Sequence, residues 1–194
     1  MATTTDLGNN VFIDFEPDEF TLPGWAKYRK IHAPVRGMDA QTDTRASGPT
    51  FEVDLAGSDI VVTRVQGSIA LNRAGCWVVT GRETSDLLEH EQGHYYITYI
   101  TYVLALQQVR NLTVPVSRAR IPPGANAHVR KHHMHNAMAR EINTVLAQTQ
   151  PVMSGLTTDY DAAHPPGTNH SNNRPEQQRW NQRFAASLAN GTAL

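Results

Sequence analysis

The spacing of apolar positions divides the chain into stretches of different character. Val11 to Phe15 alternates apolar and polar residues and reads as a strand. Met1 to Asn10, ahead of it, reads as a flexible tail. Residues 16–49 are polar and broken by Pro23-Gly24 and Arg36-Gly37, which predicts an irregular segment wrapping the surface. From Thr50 the pattern changes. Phe51-Val53-Leu55, Ile60 to Val62, Ile69-Leu71 and Trp77 to Val79 are short β-branched or aromatic runs, punctuated by Gly57-Ser58, Gln66-Gly67 and Asn72 to Gly75. Such runs predict an antiparallel meander or hairpins.

Beyond Gly81 the period becomes helical. Leu87, Leu88, Tyr95, Ile97, Ile100, Tyr102, Val103, Leu104 and Leu106 recur at helical steps, with no proline between Gly81 and Pro115. Ser85 or Asp86 can cap this helix, and Asp86 with Glu89 has capping-box spacing. A helix of about 25 residues, apolar over most of its circumference, belongs at the centre of a fold. Tyr95, Tyr96, Tyr99 and Tyr102 then read as core and groove lining. Asn111 to Gly124, with three prolines, reads as a loop. A second helix is expected from His128 to Gln148, with Met134, Met138, Glu141, Ile142, Val145 and Leu146 on one stripe. Gly155 to Arg174 reads as a long polar loop, the kind that often carries function. A last helix is expected from Pro175 to Ala189, closed by Asn190-Gly191.

Composition narrows the possibilities. The chain has 194 residues and a formal net charge of -1, so no global electrostatic case for nucleic acid or an anionic membrane follows. Cys76 is the one cysteine, which excludes an intrachain disulfide framework and a thiolate-rich zinc site. It reads as a small buried hydrophobe beside Trp77. No stretch is apolar enough to span a bilayer, and the N-terminus lacks the basic and hydrophobic regions of a signal peptide. The expected location is therefore the cytoplasm, or outside it for a trimmed form of an exported protein. His128, His132, His133 and His135, with Arg130 and Lys131, form a dense cationic run that reads mainly as a solvated helix face.

The sharpest chemical feature sits on the first long helix: His90-Glu91-Gln92-Gly93-His94. Histidines four apart on a helix share a face, so their imidazoles can take adjacent corners of one tetrahedral zinc site. The glutamate beside the first histidine can reach a metal-bound water, an arrangement suited to metal-assisted hydrolysis with the carboxylate as general base. Gly93 leaves room for another backbone to approach. Two histidines need a third protein ligand. Isoleucine at positions 97 and 100 excludes the astacin-like extension. Glu141, on the apolar stripe of the second helix, and His170, His164 and Asp161, in the polar loop, remain candidates. Spacing alone does not choose between Glu141 and His170.

The segment from Leu87 to Thr98, followed by Tyr160-Asp161, by Thr168 and His170, and by Gln177 and Trp180, resembles a bacterial family of predicted zinc metallopeptidases. That family is known mainly as a domain of unknown function in exported proteins. The resemblance runs from about Thr50 to the C-terminus. Ser171 replaces an expected glycine, and residues 162–167 are lengthened. The resemblance implies His170 as third ligand beside His90 and His94. Tyr160 then becomes a candidate donor to a developing oxyanion; the plainer alternative is an aromatic packed on the last helix.

The sequence therefore predicts an α+β, zincin-like fold. A small, mainly antiparallel sheet packs on the long motif helix, with further C-terminal helices. Residues 1–49 form a tail and wrapping segment, and residues 50–194 the metallopeptidase domain. The segment Gly67 to Thr80 is expected to supply the sheet edge along which an extended peptide substrate would lie. One zinc ion per chain, a peptide or protein substrate, and Glu91 as base complete the reading. The rival readings are a zinc-bound but inactive interaction domain and a metal-free interaction module.

Overall fold

A single long strand organises the sheet that backs the motif helix. The computed structural model describes residues 3–15 and 24–194. Its strands are β1 (Thr3–Asp6), β2 (Val11–Phe15), β3 (Arg29–Ile31), β4 (Ala40–Gln41), β5 (Thr44–Ala46), β6 (Thr50–Ala56), β7 (Asp59–Leu71), β8 (Trp77–Val79) and β9 (Thr113–Pro115). Its helices are α1 (Ser85–Arg110), α2 (Ala127–Asp161) and α3 (Arg174–Asn190). The fold is α+β, as expected, but the sheets are mixed.

β7 pairs antiparallel with β5, β6 and β9, and parallel with β2. The two apolar runs expected as separate strands are one strand, and Gln66-Gly67 is not a turn. The reason is a bulge. Glu52 faces Arg64 while Val53 faces Val62, so Thr63 is an extra residue. Buried positions consequently switch from Ile60 and Val62 to Val65, Gly67, Ile69 and Leu71. A one-residue insertion of this kind moves the inward face by one position and strengthens the local twist. Gly57-Ser58 does form the expected hairpin turn, joining Ala56 to its partner Asp59.

The N-terminal stretch departs from the expected flexible tail. β1 pairs antiparallel with β2 through a turn in which Gly8, Asn9 and Asn10 all have positive φ. Glycine and asparagine tolerate that region best. β2 is anchored because Val11 and Ile13 are buried against the sheet. Of the polar segment, residues 16–23 lie outside the described residues. The rest is partly regular, with β3 and β4 flanking β8 in a three-stranded sheet.

α1 is buried around most of its surface, as its sequence predicts, with Ile97, Leu106 and Val109 fully inaccessible. Each such side chain contributes about 1.5–3 kcal/mol. Thr84 caps the helix, accepting from the Leu87 N–H at 3.1 Å, in place of the expected Ser85 or Asp86. Sheet and helix interlock at Tyr102, whose hydroxyl donates to the Ser47 carbonyl. A Cβ on Gly67 would come within 2.5 Å of that hydroxyl, so β7 needs a glycine there. Burial pushes the Tyr102 phenol up to about 12. α2 and α3 cover the other side of α1. Among the described residues no helix is long and apolar enough to cross a membrane.

Candidate metal centre

The site forms where the start of α1 meets the end of α2. The second helix was expected to stop at Gln148, but it continues through Pro151 to Asp161. Tyr160 and Asp161 therefore lie in its last turn, not in a loop. Proline inside a helix costs about 3 kcal/mol. Met153 and Leu156, packed against the core, and fully buried Tyr160 offset that loss.

Asp161 Oδ1 stands 3.3 Å from His90 Nε2 and 3.2 Å from His94 Nε2. These three residues are the group of possible metal donors found among the described residues, with ligand atoms within 4.8 Å of one another. A tetrahedral site with bonds of about 2.0–2.1 Å places its donors roughly 3.3–3.4 Å apart. The observed spacing fits.

The hydrogen bonds around His90 fix which nitrogen faces the site. The Thr168 hydroxyl donates to the Tyr160 carbonyl at 2.8 Å. Its single proton is thereby used, so at 2.9 Å from His90 Nδ1 it acts as acceptor. Nδ1 then carries the imidazole proton, and Nε2 presents a lone pair to Asp161. A lone pair and a carboxylate oxygen repel one another unless a cation lies between. His90 Nε2, Asp161 Oδ1 and the neighbouring Glu91 Oε2 are all buried without a hydrogen-bond partner. Buried polar atoms are rarely left so. Two of them, His90 Nε2 and Asp161 Oδ1, face each other at 3.3 Å, which supports a metal site, and two imidazoles with a carboxylate are donors suited to zinc.

The electrostatics agree. Burial holds the His90 imidazole below its ordinary value, against the pull of Asp161. For His94 burial also opposes protonation, but Asp161 and Glu91 outweigh it and the pKa rises. Burial disfavours ionised Asp161, yet the two histidines beside it hold it well below the usual carboxylate range. The site thus presents a negative oxygen between two imidazoles.

Residues outside the donor group hold it in place. The Tyr160 ring stacks on His90 at 4.7 Å and 5°. Its hydroxyl lies 3.0 Å from the His90 carbonyl and 2.8 Å from Gln177 Nε2, which donates to it. Trp180 and Phe184 of α3 pack edge-on against it, as in the plainer reading of this residue. With its hydroxyl engaged this way, Tyr160 positions His90 and is not placed to meet an oxyanion. What approaches Gly93 is this hydroxyl, not a backbone: a Cβ on Gly93 would overlap it. Gly93→Ala should therefore cost about 1–3 kcal/mol through overpacking. Thermal unfolding checks this, and an unchanged Tm would mean that Tyr160 is not held against the helix. Glu89 is neither cap nor free; it binds Arg174 and Asn181, tying α1 to α3.

The other expected ligands fall differently. Glu141 is ion-paired with Arg118 at 3.1 Å, outside the donor group. His164 is exposed in the loop after α2. The His170 ring stands 5.5 Å from that of His90, close to the centre, but His170 is exposed and not part of the convergent group. It sits among three consecutive residues of positive φ, Asn169, His170 and Ser171. Ser171, at φ 72°, occupies the position where the resemblance has glycine.

Two cavities flank the centre. One, of about 390 Å³, is lined by Ala40, Arg82, Glu91 and His170. The other, of about 430 Å³, is lined by Gln41, Thr42, His94 and Thr158. Residues 37–40 line the first and residues 41–44 the second. The segment from Gly67 to Thr80, expected as the edge, is paired over much of its length. Gly67 and Ser68 pair with β2, Ile69 to Leu71 with β5, and β8 is the middle strand of its sheet. The outer strand at the centre is β4, which among the described residues pairs only with β8 and packs against α1. Comparison with family models, curated proteins and solved structures finds no match to this chain.

Proposed function

We propose that the chain is a zinc-dependent peptidase of the HExxH type, with His90, His94 and Asp161 as protein ligands. The observation that carries this reading is that two buried, unpartnered polar atoms, His90 Nε2 and Asp161 Oδ1, face each other at 3.3 Å with His94 Nε2 3.2 Å from the same oxygen. Zinc bound there would supply Lewis acidity and activate water near neutral pH. Glu91 takes a proton from the attacking water and delivers it to the leaving amine. Thr168 holds His90 in the tautomer that leaves Nε2 free for the ion, as supporting hydrogen bonds do in other zinc sites. An extended peptide would lie along β4, whose open side borders the cavities on either side of the centre.

Asp161 takes the place that the resemblance gave to His170. At the rim shared with Glu91, the His170 imidazole is positioned to hydrogen-bond the oxyanion of the tetrahedral intermediate. His170→Ala should therefore keep one zinc per chain while kcat falls by roughly 10²- to 10³-fold. Loss of the metal in that variant would return His170 to the ligand set. The test of the whole reading is elemental analysis of protein purified without added metal, followed by digestion of a peptide library. About one zinc per chain with cleavage that a chelator abolishes is expected. Tight zinc without turnover would leave a metal-bound interaction domain, and no uptake of zinc would remove the reading.

A further inference from the structure

A cavity away from the metal centre is larger than either of the two that flank it. It has a volume of about 650 Å³ and is lined by Arg118, Arg120 and Arg140 together with His133, Asn136 and Glu141. It lies between the segment after β9 and the first half of α2. Arg140 is about 30 Å from Asp161 along α2, at 1.5 Å per residue. The two sites are therefore separate.

Charge is segregated at this end of the protein. The chain as a whole carries a formal net charge of -1, yet between Glu91 and Glu141 it has no acidic residue and six arginines and lysines. Within the cavity, Glu141 neutralises Arg118 through the 3.1 Å ion pair. Arg140 reaches only the Arg118 carbonyl, at 3.4 Å. Arg120 has no ion pair or hydrogen bond among the described residues. It also holds φ at 51°, an uncommon conformation for a residue with a side chain. His133 donates Nδ1–H to the Ala119 carbonyl at 3.1 Å, which leaves Nε2 as its remaining polar atom. Two guanidinium charges are thus unbalanced in one concavity.

We propose that this cavity binds the phosphate group of a small molecule, with Arg120 and Arg140 as the principal contacts. Two surplus cations match a dianion, and planar guanidinium forks suit phosphate oxygens in bidentate pairs. The volume suits a ligand of metabolite size. Its lining contains no phenylalanine, tyrosine or tryptophan, so it lacks the stacking platform of a single-stranded nucleic acid site. Nothing in this inference depends on the peptidase reading.

The test is calorimetric titration of the full chain with inorganic pyrophosphate, beside co-sedimentation with phosphatidylcholine vesicles with and without phosphatidic acid. The wild-type chain should bind pyrophosphate at one site, more weakly as salt is raised. The double variant Arg120→Ala/Arg140→Ala should bind roughly tenfold or more weakly, since two charge-assisted contacts are lost. Both side chains are on the surface, and circular dichroism checks that the variant folds. Absence of pyrophosphate binding would overturn the proposal. So would equal binding by the variant, which would place the anion at the metal centre. Vesicle binding without pyrophosphate binding would also overturn it, in favour of a membrane surface. Arginine-dependent binding to both would keep the phosphate site and identify a lipid headgroup as its source.

Discussion

Glu91→Gln should retain one metal ion per chain and lose hydrolysis by about 10²- to 10⁴-fold, the usual contribution of a positioned acid–base group. The substitution keeps shape and volume. It removes only the ability to accept and return a proton. Glu91 is 3 % exposed and its Oε2 lacks a partner, so no structural ion pair is broken by neutralising it. The fold should therefore persist, with an unfolding midpoint close to that of the parent. Metal content and the rate on a cleaved peptide, measured on the same preparation, decide the matter. A variant that keeps its zinc and its rate would show that another group moves the proton. A variant that loses its zinc would show that Glu91 is itself a ligand.

The core of this site was legible because its residues are contiguous. His90, Glu91 and His94 lie on one helix whose period is unmistakable, and their shared face follows from helical geometry alone. Asp161 was harder to place, although it stood among the candidates. Pro151 and Gly155 are breakers in isolation, and they invited a loop where α2 continues. A helical stripe was still present across the proline, through Val145, Thr149, Met153, Leu156 and Tyr160. Burial of Tyr160 under α3 decides in favour of the helix, and burial depends on partners distant in sequence. The role of Thr168 was likewise hidden. It follows from two hydrogen bonds that exist only once the loop has folded back on the end of α2.

The sheet shows the same division. The hairpin at Gly57-Ser58 is local chemistry and could be read directly. The bulge at Thr63 could not, because a register shift is defined by the partner strand. Once Thr63 is set aside, the inward positions of β7 alternate without exception from Ile60 to Leu71. The Gly67 position, read as punctuation, marks instead the close approach of Tyr102. The Gly8-Asn9-Asn10 turn was a visible hairpin signal within the stretch expected to be a tail. Its meaning depended on recognising Thr3 to Asp6 as a second strand, which polar threonines do not announce.

Asp161→Ala should weaken zinc binding by on the order of a hundredfold, about 3 kcal/mol for one of the four coordination positions of a tetrahedral site. The same change should cost the metal-free fold a modest amount, because the two histidines that favour ionised Asp161 are partly offset by its place at the helix end. Asp161 is the last residue of α2, where a negative charge meets the negative end of the helix dipole. That placement is unfavourable by about 0.3–1 kcal/mol. A carboxylate serving only to cap or solvate the helix end would not be chosen there, whereas one facing a cation gains more than it loses. Metal titration with a competing chelator and thermal unfolding in excess chelator separate these effects. Weaker zinc, beside only a modest fall in metal-free Tm, assigns Asp161 to the ion. A lower metal-free Tm with zinc affinity intact would make it a structural partner of the two histidines, and would sink the ligand set proposed for this site.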